Sequence, residues 1–556
     1  MKTLIIGGVA GGASAAARLR RLNENDEIII LERGDYVSFA NCGLPYFIGG
    51  DITDRNMLTL QTPESFRKRF NIEVRVRNEV VRISPDTHTV TVRRNDSGEE
   101  YTETYDKLIL SPGAEPIRPD IKGIDSPNVF TLRNIPDTMK IKSYTDSAKP
   151  KKAVVVGGGY IGVEMAENLA KAGLEVSIVE LADHLIAPLD ADMAADVHRY
   201  IRNRSIKLYL GNGVTEIADK KVILQNGTIE ADMVIMSVGV YPETSLAKEC
   251  GITLNSRGSI IVNSNMQTNF PDIYAVGDAV EVKDYITGSP AFIPLAGPAN
   301  KQGRIAADNI AGIPSEYQGT QGSAVLKLFD MTIATTGLNE KRAAAEGINY
   351  EKTYTYSASH ASYYPDSTNM SVKVLWDKKT HKLIGAQIVG FDGVDKRMDV
   401  FATAIRFGAK VTDLKNLELC YAPPFGSAKD PVNMVGFVAE NTINGTINQF
   451  FWHDVEKLPR DGSVTLLDVR TKIEISRGMI DGFINIPLDV LRDNLDKLPK
   501  DKPIYVHCHS GLRSYIACRI LTGNGYECYN LAGGWRLYES VINDRTVPEY
   551  ICTECK

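Results

Sequence analysis

A glycine-rich turn set between an apolar run and a small-residue helix pattern occurs twice in this chain, and few folds accommodate it. The first copy, "TLIIGGVAGGASAAARLRRL" from Thr3, is followed by "DEIIILER", whose apolar run closes on Glu32. That order predicts a strand, a tight turn and a helix whose N-terminus receives a pyrophosphate, with the later carboxylate accepting from ribose hydroxyls. Gly7 and Gly12 take the outer positions of a GxGxxG pattern, while Val9 stands at the middle one. The second copy, "KKAVVVGGGYIGVEMAENLAKAGLEVSIVE", has the full pattern at Gly157, Gly159 and Gly162 and ends its second strand at Glu180.

Glu180 would accept from a 2′-hydroxyl and repel a 2′-phosphate, so NADH is favoured, with NADPH possible where basic side chains lie close. At 556 residues the chain exceeds what one core organises, and three or four domains are expected. Its 63 basic and 69 acidic residues leave a net charge of −6, which offers no field for a nucleic-acid backbone. "MKTLIIGG" carries no export signal, and no stretch nears the ~18 to 20 apolar residues of a membrane helix. Eight cysteines are too sparse for a disulfide framework. A cytoplasmic protein without nucleic-acid or membrane partners is expected.

A third segment bears on what the first fold holds. "TNFPDIYAVGDAVE", residues 268–281, is an apolar strand closing on Gly277 and Asp278. Together with "LILSPGAEPIRP" at 108–119 and the two nucleotide folds, it resembles the flavin-ribitol strand of the pyridine nucleotide-disulphide oxidoreductases. The resemblance spans residues 1 to about 445 and implies FAD on the first fold, NAD(P)H on the second and Asp278 on the ribitol chain. Candidate cofactor contacts are Gly7, Gly8, Val9, Gly11 and Gly12 with Glu32 at the first turn, and Gly157, Gly159, Tyr160, Ile161 and Gly162 with Glu180 at the second. Pro112, Gly113, Gly239, Gly277, Asp278 and Ala296 complete the set.

In that superfamily electrons usually leave the flavin through two cysteines in a CxxxxC pattern. Here "SFANCGLPYFIGG", residues 38–50, holds Cys42 alone, with Phe47 at the partner position. One thiol can still cycle through a mixed disulfide, a persulfide or a sulfenic acid. Pro45 marks a helix start, whose dipole and unpaired N–H groups would favour the thiolate. Ser38 and Asn41 are placed to add hydrogen bonds.

The same stretch closely resembles the active-site segment of coenzyme A disulfide reductases. "ELCYAPPFGSAKDPVN", residues 418–433, and "HASYYPDS", residues 360–367, resemble that family's dimerisation domain. The resemblance implies a homodimer in which Tyr421 and either Tyr363 or Tyr364, with Tyr363 the candidate, reach the thiol of the opposite subunit. Coenzyme A would want cations for its phosphates, and Arg21 and Arg69 are the candidates from two basic helices.

After residue 460 the pattern restarts. "IYVH" runs into Cys508, a short turn follows, and "RSYIACRIL" continues as a helix. Such a turn lines N–H groups around one sulfur and adds Arg513 at the helix start. With "LLDVR", "GFINIP" and "LAGGW" in order, this resembles a rhodanese domain. A phosphatase loop would need CxxxxxR, and Cys508 to Arg513 is one residue shorter. Asp468 and Arg470 are expected to support the fold, Cys518 and Cys528 to lie in the core, and Cys552 and Cys555 to form a free or redox pair. No metal site is expected.

The expected architecture is α/β: two Rossmann-like dinucleotide-binding domains, an α+β dimerisation domain and a C-terminal α/β rhodanese domain. The boundaries expected are 1–149 with 250–320 for the FAD domain, 150–249 for the NAD(P)H domain, 321–447 for dimerisation, 448–460 for a linker, 461–545 for the rhodanese domain and 546–556 for a cysteine-containing tail. The implied reaction is NADH-dependent reduction of a coenzyme A persulfide or polysulfide, with sulfur handed on by Cys508, hydrogen sulfide released and coenzyme A as carrier. A coenzyme A disulfide reductase, an NADH oxidase or peroxidase, and a redox or sulfide sensor are the alternatives.

Overall fold

The apolar runs beside the glycine turns become parallel strands, because a sheet covered on both faces needs continuous Val, Ile and Leu. The computed structural model describes residues 1–546. These divide into two units, residues 1–182 with 205–322, and residues 183–204 with those from 323 onward.

In the first unit one parallel sheet orders Ile273–Ala275, Lys107–Leu110, Lys2–Ile6, Glu27–Glu32 and Glu73–Val76. Leu4, Ile5, Ile29 and Ile30 are fully buried in it. Helix Ala10–Leu22 packs on helix Ala296–Ile310, and a Cβ on Gly303 would stand 2.3 Å from the Gly11 carbonyl, so the missing side chain sets how near the helices come.

A second parallel sheet orders Lys207–Tyr209, Glu175–Val179, Lys152–Val156, Met233–Met236 and Val129–Thr131. The last strand departs from the expected boundary at residue 150. Val129 pairs with Val234 and is buried, and Tyr144 of helix Ile135–Ala148 donates to the Asp232 carbonyl at 2.9 Å. Residues before 150 thus complete the second sheet, since an unpaired edge beside Met233–Met236 would leave buried backbone groups unsatisfied.

The second unit contains helix Ala191–Asn203 and an antiparallel sheet ordered Ala324–Leu328, Met331–Gly337, Leu383–Gly390, Asn369–Asp377 and Tyr350–Ala358. A separate parallel sheet orders Asn448–Phe450, Cys528–Leu531, Ile504–His507, Thr465–Asp468 and Ile484–Asn485. Residues 448–460 are therefore not a free linker. Asn448–Phe450 is the edge strand beside Tyr529–Leu531, and the turn Trp452–Lys457 fully buries Val455. Phe450 and Val455 supply enough apolar surface to hold this stretch down.

A buried ionic cluster ties this unit together. The Lys373 ammonium lies 2.8 Å from Asp190, 2.8 Å from Asp192 and 2.5 Å from Glu340. Lys352 also reaches Glu340, and Trp452 Nε1 donates to Asp192 at 3.3 Å. The acidic trio could gather a metal ion, but the lysine ammonium already stands among its oxygens. Burial works against that charge, yet the surrounding carboxylates outweigh it and raise the Lys373 pKa.

Nearby, fully buried His198 meets Asp544 of helix Gly534–Thr546 at 2.8 Å and accepts from the Leu185 amide at 3.0 Å. Among the described residues no helix is long and apolar enough to cross a membrane. Cys552 and Cys555 lie outside the described residues.

Candidate functional site

The two glycine turns are built alike. Gly7 and Gly157 have φ of +91° and +106°, and a Cβ on either would collide with the Ser111 or Ser237 carbonyl at 2.2 or 2.3 Å. A Cβ on Gly159, by contrast, meets nothing within 4 Å, which leaves the room a phosphate needs over that turn. Helices Ala10–Leu22 and Tyr160–Lys171 begin without a side-chain cap from the residue before them, and at the first the Gly12 amide donates to Ser111 Oγ at 3.0 Å. Gly8, Val9, Gly11 and Gly12 form the first turn and helix start, and Gly162, Tyr160 and Ile161 the second.

The acidic strand ends brace these turns. Glu32 accepts from the Gly8 and Gly34 amides at 3.0 and 2.9 Å, and Glu180 from those of Gly158 and Ala182 at 2.6 and 2.8 Å. Around the first fold, Arg133 donates to the Pro112 carbonyl beside Gly113, and Gln302 accepts from Gly277 at 2.7 Å. Ala296 starts its helix, and the Gly239 carbonyl accepts from Ile117 where Val240–Pro242 pairs with Ala114–Pro116. Burial pushes the Asp278 carboxyl up, with Arg133 opposing. A carboxyl held in that state suits a hydroxyl-bearing partner. Sequence reading missed Arg133 and Gln302, which no motif marks.

Cys42 is an exposed free thiol on the single turn Asn41–Gly43, which runs into helix Leu44–Gly49. Phe47 is buried where a second cysteine would stand. The short helix packs on Tyr160–Lys171 of the second fold, and Tyr46 donates to Glu164 at 3.2 Å. Desolvation by the surrounding protein pushes the Cys42 thiol up, and the Glu164 and Asp278 carboxyls add to the shift. This reverses the expectation that the helix start alone would favour the thiolate. Burial, with Glu167 near, raises Glu164 itself to about 7.

Ser38 has φ of 49° and is pinned by its amide to the Gly8 carbonyl at 2.8 Å, while Asn41 is exposed. Among the described residues no hydrogen bond joins either side chain to Cys42. Arg20 is consumed by five backbone carbonyls and Arg18 by Asp308, which leaves Arg21 and Arg69 exposed on their helices.

In the second unit Tyr363 and Tyr421 meet, hydroxyl to hydroxyl, at 3.0 Å, whereas Tyr364 turns its ring edge to His360. The Tyr421 hydrogen bond pushes the Tyr363 phenol up. Both are exposed, at 75% and 48%. Exposure on that scale leaves the pair open to a ligand or another chain.

Cys508 ends strand Ile504–His507 and is fully buried, with its Sγ accepting from the Gly511 amide at 3.1 Å and from Ser514 Oγ at 3.2 Å. Ser514 was not foreseen, although its place in the first turn after the loop aims its side chain back toward the sulfur. Arg513, expected to serve the sulfur, instead forms a two-pronged bond to Glu474 at 2.7 and 2.5 Å. That carboxylate sits in the short helix Lys472–Ile475 and outcompetes a thiol for a guanidinium. Asp468 and Arg470 pair beneath the loop, burial drives His507 down to about 4, and Cys518 and Cys528 lie in the core.

Comparison with known proteins agrees with this layout. The family model described as pyridine nucleotide-disulphide oxidoreductase matches residues 1–303, its dimerisation domain 323–431 and a rhodanese-like domain 452–540. A coenzyme A disulfide reductase of Staphylococcus epidermidis is 36% identical over 441 residues, 79% of this chain and 100% of the relative. The crystal structure of reduced Bacillus anthracis CoADR-RHD is 51% identical with a TM-score of 0.96, covering 98% of each chain. An NAD-dependent persulfide reductase from A. fulgidus is 35% identical with a TM-score of 0.91, covering 97% of this chain and 100% of that one.

Proposed function

Because the chain belongs to the pyridine nucleotide-disulphide oxidoreductase family, we propose that it uses NADH to reduce coenzyme A persulfide or polysulfide and releases hydrogen sulfide. The observation that carries the reading is the single exposed thiol Cys42, on the turn that leads into a helix packed against the helix of the second nucleotide fold, with Phe47 in place of a second cysteine.

The first fold holds FAD through the turn at Gly7 to Gly12, Glu32, Pro112, Gly113, Gly277, Asp278 and Ala296. The second holds NADH through Gly157 to Gly162, Glu180 and Gly239. Bound FAD supplies the two-electron carrier between NADH and sulfur.

The Cys42 thiolate attacks the coenzyme A sulfur of the persulfide. The bond between the two substrate sulfurs breaks, hydrosulfide leaves with the electron pair, and a Cys42 to coenzyme A disulfide forms. Two electrons from NADH then return Cys42 to its thiolate and free coenzyme A thiol. Tyr363 and Tyr421, already sharing a hydrogen bond, hold a proton for a departing sulfur, and in a homodimer they serve the partner subunit's thiol. Ser38 shapes the loop through its backbone, Asn41 stands beside the thiol, and Arg21 and Arg69 meet the phosphates of coenzyme A. Cys508, cradled by Gly511 and Ser514, accepts sulfane sulfur and passes it on. The setting is a reducing cytoplasm.

A symmetric coenzyme A disulfide is the second substrate, favoured by the relative that lacks a tail but matches the rest of the chain. The test compares Cys42→Ser with Cys508→Ser, following NADH consumption and sulfide release. The first variant abolishes reduction of every substrate. The second spares coenzyme A persulfide and impairs only substrates that need sulfur transfer. Equal losses in both variants would contradict this division.

A further inference from the structure

The three arginines whose charge is felt at His509, next to Cys508, are each engaged elsewhere. Arg513, the arginine of the loop, is held by both oxygens of Glu474. The Glu474 oxygen at 2.7 Å from Arg513 also accepts from the Thr471 amide at 3.0 Å and the Thr471 hydroxyl at 2.9 Å, so the carboxylate is locked by its own helix start. The Arg513 hydrogen bond leads in lowering the Glu474 carboxyl to about 2, which keeps it charged at any working pH.

Arg470 is spent on buried Asp468 and lies over the Trp535 ring at 4.4 Å. Arg536 lies over Tyr356 at 4.4 Å and donates to Ser371. His507 is held neutral by burial. Beside the locked pair, Leu512 and Ile473 are exposed at 58% and 71%.

The sulfur of Cys508 is thus served by neutral N–H and O–H donors, and the surface next to it is charge-balanced and partly apolar. A sulfur donor that carries charge directly on the atom bonded to the sulfane sulfur meets three arginines already taken by other groups. One that carries the sulfane sulfur on an uncharged arm finds both dipoles and apolar cover.

We infer that Glu474 is a specificity-determining residue: by holding Arg513 it closes the Cys508 site to small dianionic sulfur donors and reserves it for persulfides borne on an uncharged thiol arm. The inference rests on the reading of Cys508 as a sulfur acceptor. With an organic persulfide, the Cys508 thiolate attacks the outer sulfur, the bond between the two substrate sulfurs breaks, and the carrier leaves as thiolate with the electron pair. With thiosulfate, the same attack would expel sulfite with its electron pair and two negative charges. Neither route needs a further oxidant or reductant.

The experiment uses the full-length protein with glutathione persulfide or thiosulfate as donor, and mass spectrometry reads the gain of one sulfur atom on Cys508. Glu474→Gln should raise the thiosulfate rate relative to the persulfide rate by about tenfold, as expected when a fixed opposing charge is removed near the reacting atoms. Glu474→Asp, which keeps the charge, should hold the wild-type ratio. A purely structural role for Glu474 would slow both donors together and leave the ratio where it was. An unchanged ratio in Glu474→Gln, with persulfide still loading Cys508, overturns the inference alone. Failure of every donor to load wild-type Cys508 overturns the sulfur-acceptor reading and this inference with it.

Discussion

Glu164 links the two nucleotide folds beside Cys42 at the scale of single residues. It accepts from Tyr46, and its charge helps push Cys42 up. Glu164→Gln removes a negative neighbour, so the Cys42 thiolate should form at lower pH. Alkylation of Cys42 in the flavin-loaded protein should speed up roughly threefold just above neutrality, where Glu164 is largely ionised. An identical pH profile for iodoacetamide labelling would remove Glu164 from this role. Motifs made Cys42 and Cys508 legible, because a lone cysteine after a glycine fold and a strand-to-loop cysteine are both local patterns. The partner of Arg513 was not, since Glu474 lies 39 residues away in sequence, whereas Tyr363 and Tyr421 were brought together by the family resemblance alone. Tyr363, the candidate of the adjacent pair, is the one whose hydroxyl meets Tyr421, while Tyr364 packs on His360.

Among elements, the Lys373 cluster is the most sensitive joint of the second unit. It joins helix Ala191–Asn203, the strands carrying Lys352 and Lys373, and Trp452 on the following turn. Lys373→Met would leave Asp190 and Asp192 facing Glu340 with only Lys352, which reaches Glu340 alone, as a cation. The cost is on the order of 3 kcal/mol, the usual penalty for stranding buried charge, and a lowered denaturant midpoint by circular dichroism would register it. An unchanged midpoint would show that the carboxyls simply take up protons. Periodicity made the long parallel strands readable, since Leu4 to Ile6 and Val154 to Val156 are unbroken apolar runs. The short strands Val129–Thr131 and Asn448–Phe450 were hidden because three residues carry no period and their identity depends on a distant pairing partner.

For the whole molecule, acid is the predicted weak point. Burial lowers His507 from its ordinary 6.5 to about 4, and it lowers His198 as well. A histidine kept neutral in the folded state contributes stability above its unfolded value and loses it as pH falls from about 6.5. For His507 the loss amounts to on the order of 3 kcal/mol by about pH 4. Asp544 works in the same direction: burial opposes its charge, but His198 and Arg202 outweigh it and lower its carboxyl, so its contribution disappears on further acidification. Thermal scans from neutrality downward should show a falling Tm, and His507→Gln should flatten the first part of that fall. The strand Asn448–Phe450 carries a separate lesson for anyone transplanting the sulfur-handling module. Cut at residue 452, the excised piece would expose a raw row of amides and carbonyls along Tyr529–Leu531, inviting copies to stick to one another. A graft has to begin a few residues upstream.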